Sequence, residues 1–181
     1  QKDNPEMKKN GVVNQYSFQL EAAPVGPPFW IKNHRTKAMD LVLQDQQNKL
    51  YLFSNTGTLY WKKQLSGPIL GPIKQVDLFK NKRLQMAFRT PNRFQILDRN
   101  GNIVAPFDIK LGQSEIPLSV FDYDRNRNYR FVVEEKNRLR MFDNRGSMVK
   151  GFRFRTLSKP LMHPLKHIRL GAKDYIVLHS E

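Results

Sequence analysis

Apolar and polar residues alternate along this chain in short stretches at period two, the pattern of half-buried strands and not of helices. Leu50 to Trp61 reads L-Y-L-F-S-N-T-G-T-L-Y-W, two such stretches around Ser54-Asn55-Thr56-Gly57. This predicts a β-hairpin with its turn residues at the tip. Two further stretches repeat it, Arg93-Phe-Gln-Ile-Leu-Asp-Arg-Asn-Gly101 and Arg138-Leu-Arg-Met-Phe-Asp-Asn-Arg-Gly146, with turn glycines 44 and 45 residues apart. Nine residues before each glycine stands an asparagine (Asn48, Asn92, Asn137) and seven before it an apolar residue (Leu50, Phe94, Leu139). Apolar pairs also follow each turn, as Leu59 and Tyr60, Ile103 and Val104, Met148 and Val149.

The flanks repeat as well. Met39 to Leu43, Leu84 to Phe88 and Tyr129 to Val133 each predict a strand ahead of the hairpin, and Gln75 to Phe79 and Leu118 to Tyr123 predict another ahead of that. Four strands at a period of about 44 residues are the signature of a β-propeller blade. The expected fold is therefore all-β, with propeller-type four-stranded antiparallel blades. Complete blades are expected at about residues 29–65, 75–110 and 117–155, within a single domain spanning 11–181 that follows a flexible polar segment at 1–10. Val12 to Leu20 reads as the last strand of an earlier blade, and Leu165 to Leu170 with Asp174 to His179 as the first two strands of a later one. An arc that starts and stops inside blades is expected to be an open part of a larger propeller, with edges available for dimerisation.

The turn of the first copy, Asn55-Thr-Gly-Thr-Leu-Tyr-Trp61, resembles the T-G-x-x-x-W stretch of quinoprotein-like and WD-repeat-like propellers, in which the tryptophan docks on the next blade. The matching positions of the later copies hold Ala105 and Lys150, so the resemblance implies a blade-type sheet with tryptophan docking at the first copy alone. The L-D-R-N-G turn and the stretch Phe121 to Arg130 are also similar to propeller regions of large envelope proteins of Bacteroidetes. That likeness implies a bacterial cell-envelope or periplasmic setting and no particular activity.

Composition narrows the chemistry. The 181 residues suffice for one domain, and their 12 Phe, 6 Tyr and 2 Trp supply a core. No apolar run reaches the length of a membrane span, and a chain that begins with Gln1 reads as processed or as a fragment. The absence of cysteine excludes disulfides, thiolate metal sites and cysteine nucleophiles. A net charge of +15 calls for a partner, an anionic surface or a solvated basic exterior.

Three stretches are candidates for chemistry. Asp122-Tyr-Asp-Arg-Asn-Arg-Asn128 places oxygens at alternate positions like half a calcium loop, but Arg127 replaces the loop glycine and Val133 the closing glutamate, so a strand-to-strand turn is the expected reading. His163 and His167 have the spacing of zinc ligands on a helix, which Pro164 opposes, and His34 and His179 show no partners in the sequence. Neither a nucleophile motif nor a phosphate-binding glycine loop is present. In Arg138-Leu-Arg-Met141 and Phe152-Arg-Phe-Arg155 arginine alternates with apolar residues, which predicts a basic stripe on one sheet face. The expectation is a non-enzymatic scaffold or protein-interaction module without cofactor or metal. Its expected partner is a protein or missing blades of the same protein. Polyanion or nucleic-acid binding by the basic stripe is one alternative, and a metal-dependent or enzymatic module the other.

Overall fold

The computed structural model describes residues 17–154 and 156–180, and every regular element among them is a strand. The first antiparallel sheet is a meander of β1 (Phe29–Lys32), β2 (Met39–Gln44), β3 (Lys49–Phe53) and β4 (Leu59–Gln64). The second, with the same order, holds β5 (Lys74–Val76), β6 (Gln85–Thr90), β7 (Arg93–Leu97) and β8 (Ile103–Lys110). Three strands make the third, β9 (Ser119–Phe121), β10 (Arg130–Glu135) and β11 (Arg138–Phe142). A closing hairpin pairs β12 (Lys166–Leu170) with β13 (Lys173–Val177). The sheets follow one another without closing into a barrel, consistent with an open arc of blades.

Register shows how regular the repeat is. Phe29 pairs with Val42, Lys74 with Ala87 and Ser119 with Val132, each pair 45 residues beyond the last. The bridge from Leu161 to Ser180 keeps this register. In β12 and β13 it slips by two residues, which leaves each side chain on its own face. The asparagines at the tip between second and third strands have a backbone role: the carbonyls of Asn48, Asn92 and Asn137 accept the N–H of Leu65, Leu111 and Leu157 at 3.0, 2.9 and 2.8 Å. Each bond ties the end of the outer chain segment back to its sheet. Asn48 and Asn137 also take positive φ (62° and 60°), which asparagine tolerates better than most residues.

The outer strand is where the third repeat departs from expectation. Four steps along the third strand of a sheet are spanned by five residue steps in β4 (Phe53 to Leu59 and Lys49 to Gln64) and by seven in β8 (Leu97 to Ile103 and Arg93 to Lys110). In the third sheet they would take eight, from Phe142 opposite Met148 to Arg138 opposite Thr156, and only those two isolated bridges form. The predicted fourth strand of the 117–155 blade is thus reduced to its ends. A segment with that much excess length must leave the ladder, and it turns at Val149 to Phe152 through a 3.2 Å backbone bond. Of the strand expected at Val12 to Leu20, residues 12–16 lie outside the described residues and 17–20 form no strand.

Both faces of the inner sheets are covered, which explains apolar runs without a polar face; all six residues of β6 are buried. One apolar cluster, including Val42, Leu50, Leu52, Met86, Phe88 and Leu97, joins the first two sheets. A second joins the next pair through Phe94, Phe107, Phe131 and Phe142, whose rings lie 5.2 to 6.0 Å from that of Phe94. A third joins Phe121, Val132, Leu139 and Met141 to Leu161, Leu165 and Ile176 of the closing segment. The outward face of the first sheet, Leu41, Tyr51 and Phe53, is covered by Phe18 and Leu20.

Candidate functional site

The turns between first and second strands account for the acidic stretch. Asp122 accepts the N–H of Asn126 and Arg127 at 3.1 Å, while Arg125 and Arg127 adopt positive φ (53° and 64°). Asp77, 45 residues earlier, does the same for Asn81 and Lys82 at 3.0 and 2.9 Å, with Lys80 and Lys82 at positive φ. The alternating oxygens therefore belong to a repeated Asx-type turn. Asp124 lies 2.9 Å from Arg169, which also holds Asp174 at 2.7 Å. Among the described residues no three His, Cys, Asp or Glu side chains converge as a metal would require.

The histidines find partners the sequence did not announce. His167 lies 2.7 Å from Asp174 and sets its ring 4.6 Å from Tyr123, edge to face. His163 lies beside His179, ring centroids 5.2 Å apart. Nδ1 of His34 accepts the Leu84 N–H at 3.4 Å, joining a turn of the first sheet to one of the second.

The basic stripe is only partly a strand face. Arg138 is exposed on β11, while Arg140 pairs with Glu135 at 3.1 Å and lies over the Phe142 ring at 4.9 Å. Residues 152–154 form no strand, Phe152 packs against the third cluster, and Arg155 lies outside the described residues.

Two sheet junctions are closed by the same device. Trp61 reaches across to the turn of the second sheet, donating its indole N–H to the Arg99 carbonyl at 2.7 Å. Its ring covers Gly101, where an added Cβ would lie 2.9 Å from Trp61 Cδ2. At the next junction Pro106 covers Gly146, where an added Cβ would lie 2.6 Å from Pro106 Cγ. Docking thus recurs at the second copy, one residue beyond the Ala105 at which the tryptophan was sought. The longer outer strand β8 delivers the next side chain instead.

Arg99 also anchors the first junction by charge. Its Nη1 lies 2.5 Å from Oδ2 of the buried Asp40 on β2, in a contact too bent to be a hydrogen bond, and its guanidinium covers the Tyr60 ring at 4.7 Å. Around it a cleft of about 400 Å³ is lined by Asn33, Arg35, Thr36, Tyr60, Trp61, Arg99 and Asn100. Burial pushes the His34 imidazole below its ordinary pKa, and the positive charges of Arg99, Arg35, Arg83 and Lys37 push it further. These residues come from four separate segments, so no motif could have shown them together.

A buried polar column runs through the sheets at the end of each second strand. The Gln44 amide donates to the Gly67 carbonyl at 3.1 Å and accepts from the Ile69 N–H at 2.8 Å. Arg89, 45 residues on and fully buried, donates to the carbonyls of Thr90, Pro91 and Glu134 at 3.2, 3.0 and 2.8 Å. Burial lowers the pKa of Arg89, while Glu134, Glu135 and Glu115 act in the opposite sense. Glu134, next in the column, accepts from the Ser114 hydroxyl and from the Asn137 N–H. Gln44 and Glu134 fasten the following connection to their sheets, whereas Arg89 ties the second sheet to the third.

The closing hairpin presents an uncovered apolar face. Ile168 pairs with Tyr175 and Lys166 with Val177, so Ile168, Leu170, Tyr175 and Val177 lie on one side. All four are exposed, Leu170 at 63% and Val177 at 44%. Ile176, on the opposite side, packs on the third sheet as Phe131 packs on the second. Among the described residues, which hold only strands and irregular segments, no helix long and apolar enough to cross a membrane is present. No protein-family model matches the chain, and no curated protein is significantly similar to it.

Proposed function

We propose that the chain is a non-enzymatic scaffold built from β-propeller-type blades, and that it works as a protein-interaction module within a larger assembly. The observation that carries this reading is the environment of Val177. Val42, Ala87 and Val132 occupy the same place in the three preceding sheets and are 0% exposed, covered by the sheet that follows. Val177 is 44% exposed and stands next to the free edge of β13. A face of this kind favours an added strand at that edge with apolar side chains over Tyr175 and Val177, supplied by a partner protein or by further blades of the same protein. The packing of Ile176 on the third sheet holds the face in place, which lowers the ordering cost of binding.

The test is a photoreactive amino acid placed at Tyr175 in the cells that make the protein, with a control at the exposed Arg145 turn position. The expected result is one discrete protein adduct from position 175 that disappears in the Val177→Asp background, and none from position 145. Equal labelling at both positions, or no adduct at 175, would overturn the scaffold reading.

A further inference from the structure

We infer that the cleft between the first and second sheets, lined by Arg35 and Arg99, is a binding site for an oxyanion of the phosphate or sulfate class. Arg35 and Arg99 come from the β1 to β2 and β7 to β8 turns, and Lys37 and Arg83 of the β1 to β2 and β5 to β6 turns act with them on the His34 ring between the lining residues Asn33 and Arg35. The carboxylates on these elements are already engaged. Asp40 lies buried against Arg99, Asp77 holds the amides of Asn81 and Lys82 together with Arg127 at 3.3 Å, and Asp98 accepts from the N–H of Asn100 and Asn102 at 2.8 and 2.9 Å. The site therefore gathers positive charge without a free internal counter-ion.

Sheet stacking does not require that charge, and the repeat supplies the control. Forty-five residues on, His34 is replaced by Phe79, Arg83 by Asn128 and Arg99 by Asn144, yet the second junction closes in the same way, Pro106 over Gly146. Of the cations there, Lys80 donates to Asn128 at 2.8 Å and Arg127 pairs with Asp77 at 3.3 Å. At the first junction Arg35 and Arg83 are exposed, and Arg99 is held in one place by Asp40 below and Tyr60 beside it. A guanidinium held by Asp40 and Tyr60 with a second, exposed one lining the same cleft is suited to a tetrahedral oxyanion, which accepts several charge-assisted hydrogen bonds at once. The cleft volume of about 400 Å³ leaves room for a phosphate with a substituent.

The experiment is a titration of the full chain with inorganic pyrophosphate, and separately with sulfate, read on the His34 ring resonances across pH. Saturable binding that raises the His34 pKa is expected, because a bound anion offsets the four cations acting on that ring. Arg35→Gln with Arg83→Gln should weaken binding about tenfold or more, whereas Lys80→Gln with Arg125→Gln, an equal change in net charge, should alter it less than about twofold. Equal weakening by both pairs would reduce the interaction to general charge attraction and overturn the site, as would the absence of a saturable shift. Response to pyrophosphate alone would assign phosphate over sulfate as the ligand. Both double variants are expected to keep the wild-type fold because all four side chains are exposed.

Discussion

The first and second sheets meet on the same plan as the second and third, and with different chemistry. In both junctions the turn glycine of the later sheet lies under a side chain from the outer strand of the earlier one, Trp61 over Gly101 and Pro106 over Gly146. In both, an arginine crosses the boundary. Arg99 reaches back from the second sheet to the carboxylate of Asp40, while Arg89 reaches forward from the second sheet to the backbone carbonyl of Glu134. The backbone repeat fixes where a contact must occur and leaves its chemical form open. That freedom allows the first junction to place Arg99 against Asp40 where the second places the neutral Asn144.

The largest expected effect in this comparison belongs to Arg89. Its guanidinium is fully buried and is the donor to three carbonyls in two sheets. Arg89→Met fills similar space but leaves those carbonyls without their donor, at a cost of about 3 to 5 kcal/mol. For a chain of this length the melting temperature should fall by roughly 10 °C, measured by calorimetry. A loss below about 1 kcal/mol would show that solvent or neighbouring amides replace the guanidinium, and that the second junction is held by its phenylalanine cluster alone.

A smaller effect separates docking from backbone strain at the two glycines. Gly101 and Gly146 have φ of 82° and 75°, so alanine is strained there before any clash is counted. The added Cβ also meets Trp61 in one case and Pro106 in the other. Each Gly→Ala change should cost about 1 to 3 kcal/mol. Gly101→Ala combined with Trp61→Ala should cost less than the sum of the single changes, because the clash disappears and the φ strain remains. Gly146→Ala with Pro106→Ala should behave likewise. Strict additivity in chemical denaturation at either junction would mean that its two residues are not coupled and that the docking contact contributes nothing.

Much of this was legible in the sequence because it repeats locally. The turn glycines, the asparagine column and the alternation of the second and third strands each recur within one sheet, and all-β four-stranded sheets follow from them. Pro106 escaped because the sequence offset to the docking residue changes when the outer strand lengthens, from four residues after Gly57 to five after Gly101. Arg89 escaped because an arginine inside an apolar strand reads as its solvent face, and only the neighbouring sheet reveals the carbonyls that receive it. The cationic cleft escaped for a similar reason: Asn33, Tyr60 and Arg99 are brought together by stacking, which leaves no spacing along the chain. The Asp122 stretch was readable as a turn once two arginines were seen within it, and its earlier counterpart at Asp77 repeats the turn without repeating the alternating acids.

The smallest effect is a pH dependence that compares the two ends of the arc. Glu21, ahead of the first sheet, contacts Lys49 and Lys62, and hydrogen bonds from these two hold its carboxyl at about 2. Asp174, in the closing hairpin, is brought to about 2 by hydrogen bonds first from Arg169 and then from His167. A carboxyl whose folded pKa is depressed adds stability that is fully present above its unfolded value near 4, and that is lost as pH falls through its folded value near 2. Both groups are exposed, so solvent screens the gain and salt should weaken it further. Between pH 4 and 2 the melting temperature should therefore decline, more at low than at high ionic strength. Glu21→Gln and Asp174→Asn should each flatten part of that slope. Amide exchange would assign the parts: Glu21→Gln should change protection in β3 and β4, and Asp174→Asn in β12 and β13. Changes spread evenly over all the sheets would mean that the two ends are not independent and that the arc unfolds as one unit.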